Sequence, residues 1–155
     1  HAGEYLDRVK KIAGDDPRIV FTGALYGEEK EEAYSNAYAF CLPSDLEGLP
    51  IVLLEAMGNG RCCLVSDIPE MVEVADPRRL GYAPSSADAP DGPYGYTFKQ
   101  GNVEDLAEQL RTLIASPREV EAMRSTARRY VQIEYSWDHI AAEYERVYAS
   151  VVNAR

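Results

Sequence analysis

Short apolar runs alternate with amphipathic stretches along the first two thirds of this chain, and that rhythm limits the fold more than any other feature. Ile19 to Thr22, Tyr38 to Leu42, Cys63 to Ser66 and Tyr96 to Phe98 read as strands. Glu4 to Ala13, Glu28 to Asn36, Ile51 to Met57 and a short piece near Glu70 to Val74 read as helices between them. The strands are continuously apolar, not alternating, as expected of strands buried on both faces. A βαβα order with such strands predicts a parallel, Rossmann-like α/β sheet with helices on both faces.

The last third carries helix signals only. Asn102 can cap a helix running to Ala115. Ser116-Pro117-Arg118-Glu119 has the form of a capping box with proline in the first turn, opening a helix to about Ile133. Ser136 can cap a third helix, in which Trp137, Ile140, Ala141, Tyr144, Val147, Tyr148 and Val151 recur at spacings of three and four. That is an apolar stripe on a helical tail spanning 102–155. Between sheet and tail, residues 77–94 hold Pro77, Pro84, Pro90 and Pro93 with several glycines, and read as a loop insertion at the surface. All 155 residues suit one domain.

One segment carries chemistry. Glu47 and Glu55 bracket Gly48-Leu49-Pro50-Ile51-Val52-Leu53-Leu54, so one carboxylate lies in a loop and the other inside an apolar helix. A buried carboxylate costs several kcal/mol unless paired or hydrogen-bonded. Either Glu55 pairs with a basic side chain and Glu47 is solvated, or both serve a ligand. Pro50 fits the first position of a helix, and Gly58-Asn59-Gly60 ends it. Gly48 allows close backbone approach. The helix N-terminus offers free N–H groups to an anion. Glu55 can accept two hydrogen bonds from a vicinal diol, and Glu47 can reach a sugar.

The chain has 16 basic and 26 acidic residues, a net charge of −10, which disfavours nucleic acid and anionic membranes as nonspecific partners. An anionic ligand must then be held by local groups. No apolar run approaches a membrane span. Cys41, Cys62 and Cys63 provide neither a disulfide framework nor zinc spacing; they read as small buried hydrophobes, and the mild inference is a reducing, cytoplasmic setting.

Several pieces together resemble a known family: Phe21-Thr22-Gly23, Glu28-Glu29-Lys30, Leu42-Pro43-Ser44, the E-x7-E element from Glu47 to Glu55 with Ala56-Met57, Ser66-Asp67-Ile68-Pro69, Tyr135-Ser136-Trp137 and Ile140-Ala141. In this order they resemble the C-terminal half of a retaining GT-B glycosyltransferase of the sucrose-synthase and mannosyltransferase-like group, family four. The E-x7-E element is the specific part. The resemblance implies a donor-binding domain for a nucleotide diphosphate sugar, with Glu55 on the ribose diol, Glu47 at the sugar as the catalytic-site carboxylate, and the N–H groups of Gly48, Leu49 and Ile51 on sugar or phosphate. Gly23 and Ser44 fall at the carboxyl edge of the sheet, where α/β folds bind ligands. The resemblance also implies that the chain starts after an upstream strand and a basic Arg and Lys that hold the diphosphate. The N-terminal acceptor domain would then be absent and the fragment alone inactive. There is no Asp-x-Asp motif, so neither metal nor other cofactor is expected, and leaving-group charge would fall to N–H groups, the helix N-terminus and the upstream basic pair. The acceptor, glycan or lipid, and any peripheral membrane association of the parent are left open. His139, at a helix opening, reads as a surface residue. Two other readings remain: a nonenzymatic nucleotide-sugar-binding module, and a GT-B nucleotide-sugar epimerase relative.

Overall fold

A computed structural model describes residues 2–153. Its order is α1 (Ala2–Ala13), α2 (Gly27–Asn36), β1 (Ala39–Leu42), α3 (Ile51–Gly58), β2 (Cys62–Ser66), α4 (Pro69–Ala75), a 3-10 turn (Pro77–Leu80), β3 (Tyr96–Phe98), α5 (Val103–Ala115), α6 (Pro117–Glu134) and α7 (Trp137–Asn153). The strands form a parallel sheet in the order β1-β2-β3, with Phe40 beside Cys63 and Val65 beside Thr97.

Every residue of β2 is buried, and from Cys62 to Val65 the central strand is apolar on both faces; only Ser66 at its end is polar. Cys63 and Val65 turn to one side, against Leu53, Ala56 and Met57 of α3 and Met71 and Val74 of α4. Cys62 and Leu64 turn to the other, with Phe98, Leu113 of α5 and Val120 of α6. Helices thus cover both faces, as the sequence rhythm predicts. Each fully buried side chain such as Leu53 or Met57 contributes roughly 1.5–3 kcal/mol relative to exposure.

The expected strand over Ile19 to Thr22 does not form. These residues have no ladder partner among the described residues, and Ile19, Val20 and Phe21 are exposed. A strand exists only against a neighbour, and β1 is the edge here. The capping box fails too. Ser116 makes no side-chain cap, and Glu119 donates its N–H to the Ser116 carbonyl instead. The other two caps hold: Asn102 Oδ1 accepts from Asp105 N–H at 3.0 Å, and Ser136 Oγ from His139 N–H at 3.2 Å.

The segment from 77 to 94 is fastened at several points. Tyr94 is fully buried, stacked on Tyr130 with centroids 3.6 Å apart, and donates its hydroxyl to Pro90 O. Arg78 pairs with Asp91. Glu134 accepts from the N–H groups of Ser85 and Ser86 and from the Ser85 hydroxyl. His139 is drawn into this knot, its Nε2 2.9 Å from Ser85 Oγ, so it is a half-buried fastening rather than a free surface side chain. The apolar stripe of α7 faces outward: Trp137, Tyr144, Tyr148 and Val151 are exposed.

Candidate functional site

α3 places the site. Pro50, buried, stands just before the helix rather than in its first turn. At the far end Gly60 takes a left-handed φ of 67°, Gly60 N–H bonds Met57 O, and Arg61 N–H bonds Ala56 O. That is a Schellman closure, for which glycine is the natural residue. Leu53, Ala56 and Met57 go to the core, leaving Glu55 beside it with its side chain 34% exposed.

Glu55 has two partners. Lys30 Nζ donates to Oε1 at 2.7 Å, and the Tyr34 hydroxyl reaches Oε2 at 3.2 Å and Val52 O at 3.3 Å. So Glu55 does pair with a basic side chain. Its carboxylate keeps acceptor capacity, because two oxygens offer about four lone-pair sites. Burial and the Glu55 carboxylate push the Tyr34 phenol up to about 12, so it remains a donor across the physiological range. The Glu55 bond is the leading influence raising the Lys30 ammonium, which therefore stays charged. Sequence reasoning did not assign Lys30 and Tyr34 to the site. They lie four residues apart, on one face of α2, which is the signal that pairs them.

Glu55, Lys30 and Tyr34 line a cavity of ≈ 350 Å³ together with Gly23, Phe40 and Val52. Gly23 has a φ of 70°, a left-handed turn that a side chain would strain. It lines the same cavity as Glu55, although among the described residues no strand forms before it and it therefore does not stand at the carboxyl edge of the sheet. The wall between is mostly apolar, with charge at one rim.

Glu47 is half-buried on the loop ahead of α3, and Ser44 Oγ donates to its Oε1 at 2.7 Å. Ser44 therefore positions a carboxylate. Gln100 steadies the same loop, its amide donating to Asp45 O at 2.9 Å while its N–H bonds Asp67 Oδ1. Ser66 is 1% exposed and turned inward. Gly48 is exposed, and a Cβ built there meets no atom within 4 Å. Leu49 is exposed as well. The Ile51 N–H, a candidate donor in the sequence, bonds Leu49 O at 2.9 Å. Among the described residues the N–H groups of Gly48 and Leu49 make no backbone hydrogen bond.

The cysteines divide. Burial pushes the Cys62 thiol up to about 11 and Cys63 higher still, so neither supplies a thiolate. Cys41, expected inside, is exposed. Its strand is the sheet edge, which leaves one side of it uncovered. Among the described residues no helix is long and apolar enough to cross a membrane.

A Rossmann-like half of a GT-B fold, with a carboxylate-bearing helix at the carboxyl edge of its sheet, defines the class. Residues 2–130 match the family model described as glycosyl transferases group 1, and the chain belongs to that family. Sulfoquinovosyl transferase SQD2 of Arabidopsis thaliana is 32% identical over 135 residues, 87% of this chain and 24% of that protein. The MMP alpha-(1->4)-mannosyltransferase of Mycolicibacterium hassiacum is 28% identical, over 86% of this chain and 30% of that one. Alpha-maltose-1-phosphate synthase of Mycolicibacterium smegmatis is 32% identical, over 97% and 37%. The chain thus spans about a quarter to a third of the length of these relatives. Sucrose-phosphate synthase from Thermosynechococcus elongatus has the same fold, with a TM-score of 0.76 at 20% identity over 98% of this chain and 35% of that one.

Proposed function

We propose that this chain is the donor-binding half of a glycosyltransferase that moves a sugar from a nucleotide diphosphate sugar to an acceptor hydroxyl with retention. The observation that carries the proposal is the setting of Glu55. Its carboxylate is fixed from one side by Lys30 and Tyr34 and still faces a cavity walled by Gly23 and Phe40. A carboxylate held from one side and open on the other suits a vicinal diol, whose two hydroxyls both donate. The apolar wall suits a nucleobase.

Glu47 serves the sugar. Ser44 fixes its carboxylate by one oxygen and leaves the other for a sugar hydroxyl. The N–H groups of Gly48 and Leu49 take charge on the diphosphate or the sugar, where dipoles set in advance stabilise a developing anion without reorganising. The route needs no metal on this reading, since leaving-group charge falls to these donors and to basic residues of a longer polypeptide that also supplies the acceptor side. Retention is compatible with a covalent intermediate or front-face attack, and Glu47 serves either by holding the sugar.

Calorimetric titration with UDP, GDP and ADP and their sugar conjugates tests this. One nucleotide class should bind, and Glu55→Gln should weaken it by about ten- to a hundredfold, the size of a hydrogen bond to a charged group. Equal affinity in wild type and Glu55→Gln would overturn the assignment. Donor binding without transfer, in a protein carrying the acceptor side, would favour a binding module.

A further inference from the structure

At the opposite end of α3 from its N-terminal loop lies a second cavity, of ≈ 480 Å³, between the α3–β2 turn and the middle of α6. Four guanidinium groups line it, those of Arg61, Arg124, Arg128 and Arg129, against one carboxylate, Glu121. In a chain of net charge −10 this is a local reversal of sign. Three of the four are engaged, and Arg124 also pairs with Glu121 at 3.0 Å. Arg61 donates to Ser35 O and Ala37 O, and Arg124 to Tyr38 O, so both neutralise carbonyls where α2 ends. Arg129 reaches Asp88 O. Arg128 bonds to nothing among the described residues, and the Arg124 Nε is buried without a partner. Gly60 backs the cleft in its left-handed turn, and a Cβ there would make only ordinary contact with the Arg128 Cδ, at 3.7 Å.

Like charges that face one cleft repel each other, and an anion among them reduces that cost. Guanidinium forks match the oxygens of a phosphate group, and a charge-assisted bond of that kind is stronger than a neutral one. We propose that this cleft is a second binding site, for the phosphate group of a phosphorylated small molecule or of a lipid headgroup, with Arg128 as its uncommitted ligand. It is separate from the cavity at Glu55, although linked to it through α3: Asn59, which lines the cleft, donates its side-chain amide to the Glu55 carbonyl at 3.1 Å.

Two probes test it on the 155-residue chain: inorganic phosphate by calorimetry, and co-sedimentation with phosphatidylcholine vesicles with and without phosphatidylglycerol. Arg128→Gln is the variant, since no fold contact depends on its charge; circular dichroism checks its folding. Saturable phosphate binding that weakens about tenfold or more in Arg128→Gln supports the site. If only phosphate binds in this Arg128-dependent way, the ligand is soluble. If phosphatidylglycerol vesicles also sediment the chain and Arg128→Gln abolishes this, the source is a headgroup. Absence of binding to both probes overturns the proposal. So does binding unchanged in Arg128→Gln, or phosphate binding lost only in Glu55→Gln, which would put the anion in the donor cavity.

Discussion

The Lys30 ammonium sits 2.7 Å from Glu55 Oε1, joining α2 to α3 at the rim of the apolar cavity. The pair is a third exposed on each side, and surface pairs of this kind add little to stability. On the donor-site reading proposed above, its work is to aim the carboxylate. In Lys30→Met the carboxylate is expected to lose its orientation but keep its charge. Donor affinity should fall by less than in Glu55→Gln, and the thermal midpoint should hardly move. Calorimetry and a melting curve on the two variants check this.

Gly48→Ala separates ligand approach from folding. The glycine has no left-handed φ, and its added methyl meets nothing in the chain. Stability should be unchanged within about 0.5 kcal/mol, while affinity for a nucleotide sugar drops if the backbone approaches the ligand here. Denaturant melts beside donor titrations give both numbers.

Ser44→Ala and Glu47→Gln should act on the sugar and spare the bare nucleotide. Loss of the Ser44 hydroxyl removes one neutral hydrogen bond, about 0.5–1.5 kcal/mol, so the discrimination between nucleotide and nucleotide sugar should narrow a few-fold. Glu47→Gln should narrow it further. Affinities for both ligands, measured on each variant, decide it.

Tyr94→Ala should cost about 3–5 kcal/mol, as for other large aromatic truncations in a core, because the ring is fully buried against Tyr130. Tyr94→Phe keeps the stack and loses only the bond to Pro90 O, so its cost should stay near 1 kcal/mol. Urea unfolding distinguishes the two.

Acid should loosen the 77–94 segment. Burial works against the Glu134 charge, but hydrogen bonds from Ser85 and Ser86 outweigh it and hold the carboxyl below its ordinary value of 4.5. A carboxyl lowered on folding stabilises at pH above the ordinary value, and that support is lost as pH falls through the lower, folded value. Amide exchange at Ser85 and Ser86 should therefore accelerate below that range. In Glu134→Gln the acid-dependent acceleration should disappear.

Much of this was legible in the sequence where it is written locally. Both ends of α3 are punctuated, by Pro50 before and Gly60 behind, and its boundaries lie within one residue of where those residues point, with Pro50 one place outside the helix. The buried central strand announces itself by the apolar run from Cys62 to Val65. What escaped depends on partners elsewhere. Ile19 to Thr22 has strand-forming residues but, among the described residues, no ladder partner. Ser116 has the right side chain but lies at φ −119° and ψ 57° without capping the helix. The Lys30–Glu55 bond joins residues of two helices separated by a strand, and nothing in either helix names the other. The arginine cleft is harder still, because Arg61 reaches it from a turn and the others from α6.

The closed ends of α3 make the helix a gauge of fixed length. One residue inserted between Leu53 and Leu54 would turn everything beyond it by about 100° around the axis. Glu55 would swing away from Lys30, and the core contacts of Ala56 and Met57 would be thrown out of step with β2. Point changes along this stretch can be absorbed one at a time, but a change of count cannot. Lineages descending from this chain should therefore vary the letters between Glu47 and Glu55 while keeping their number.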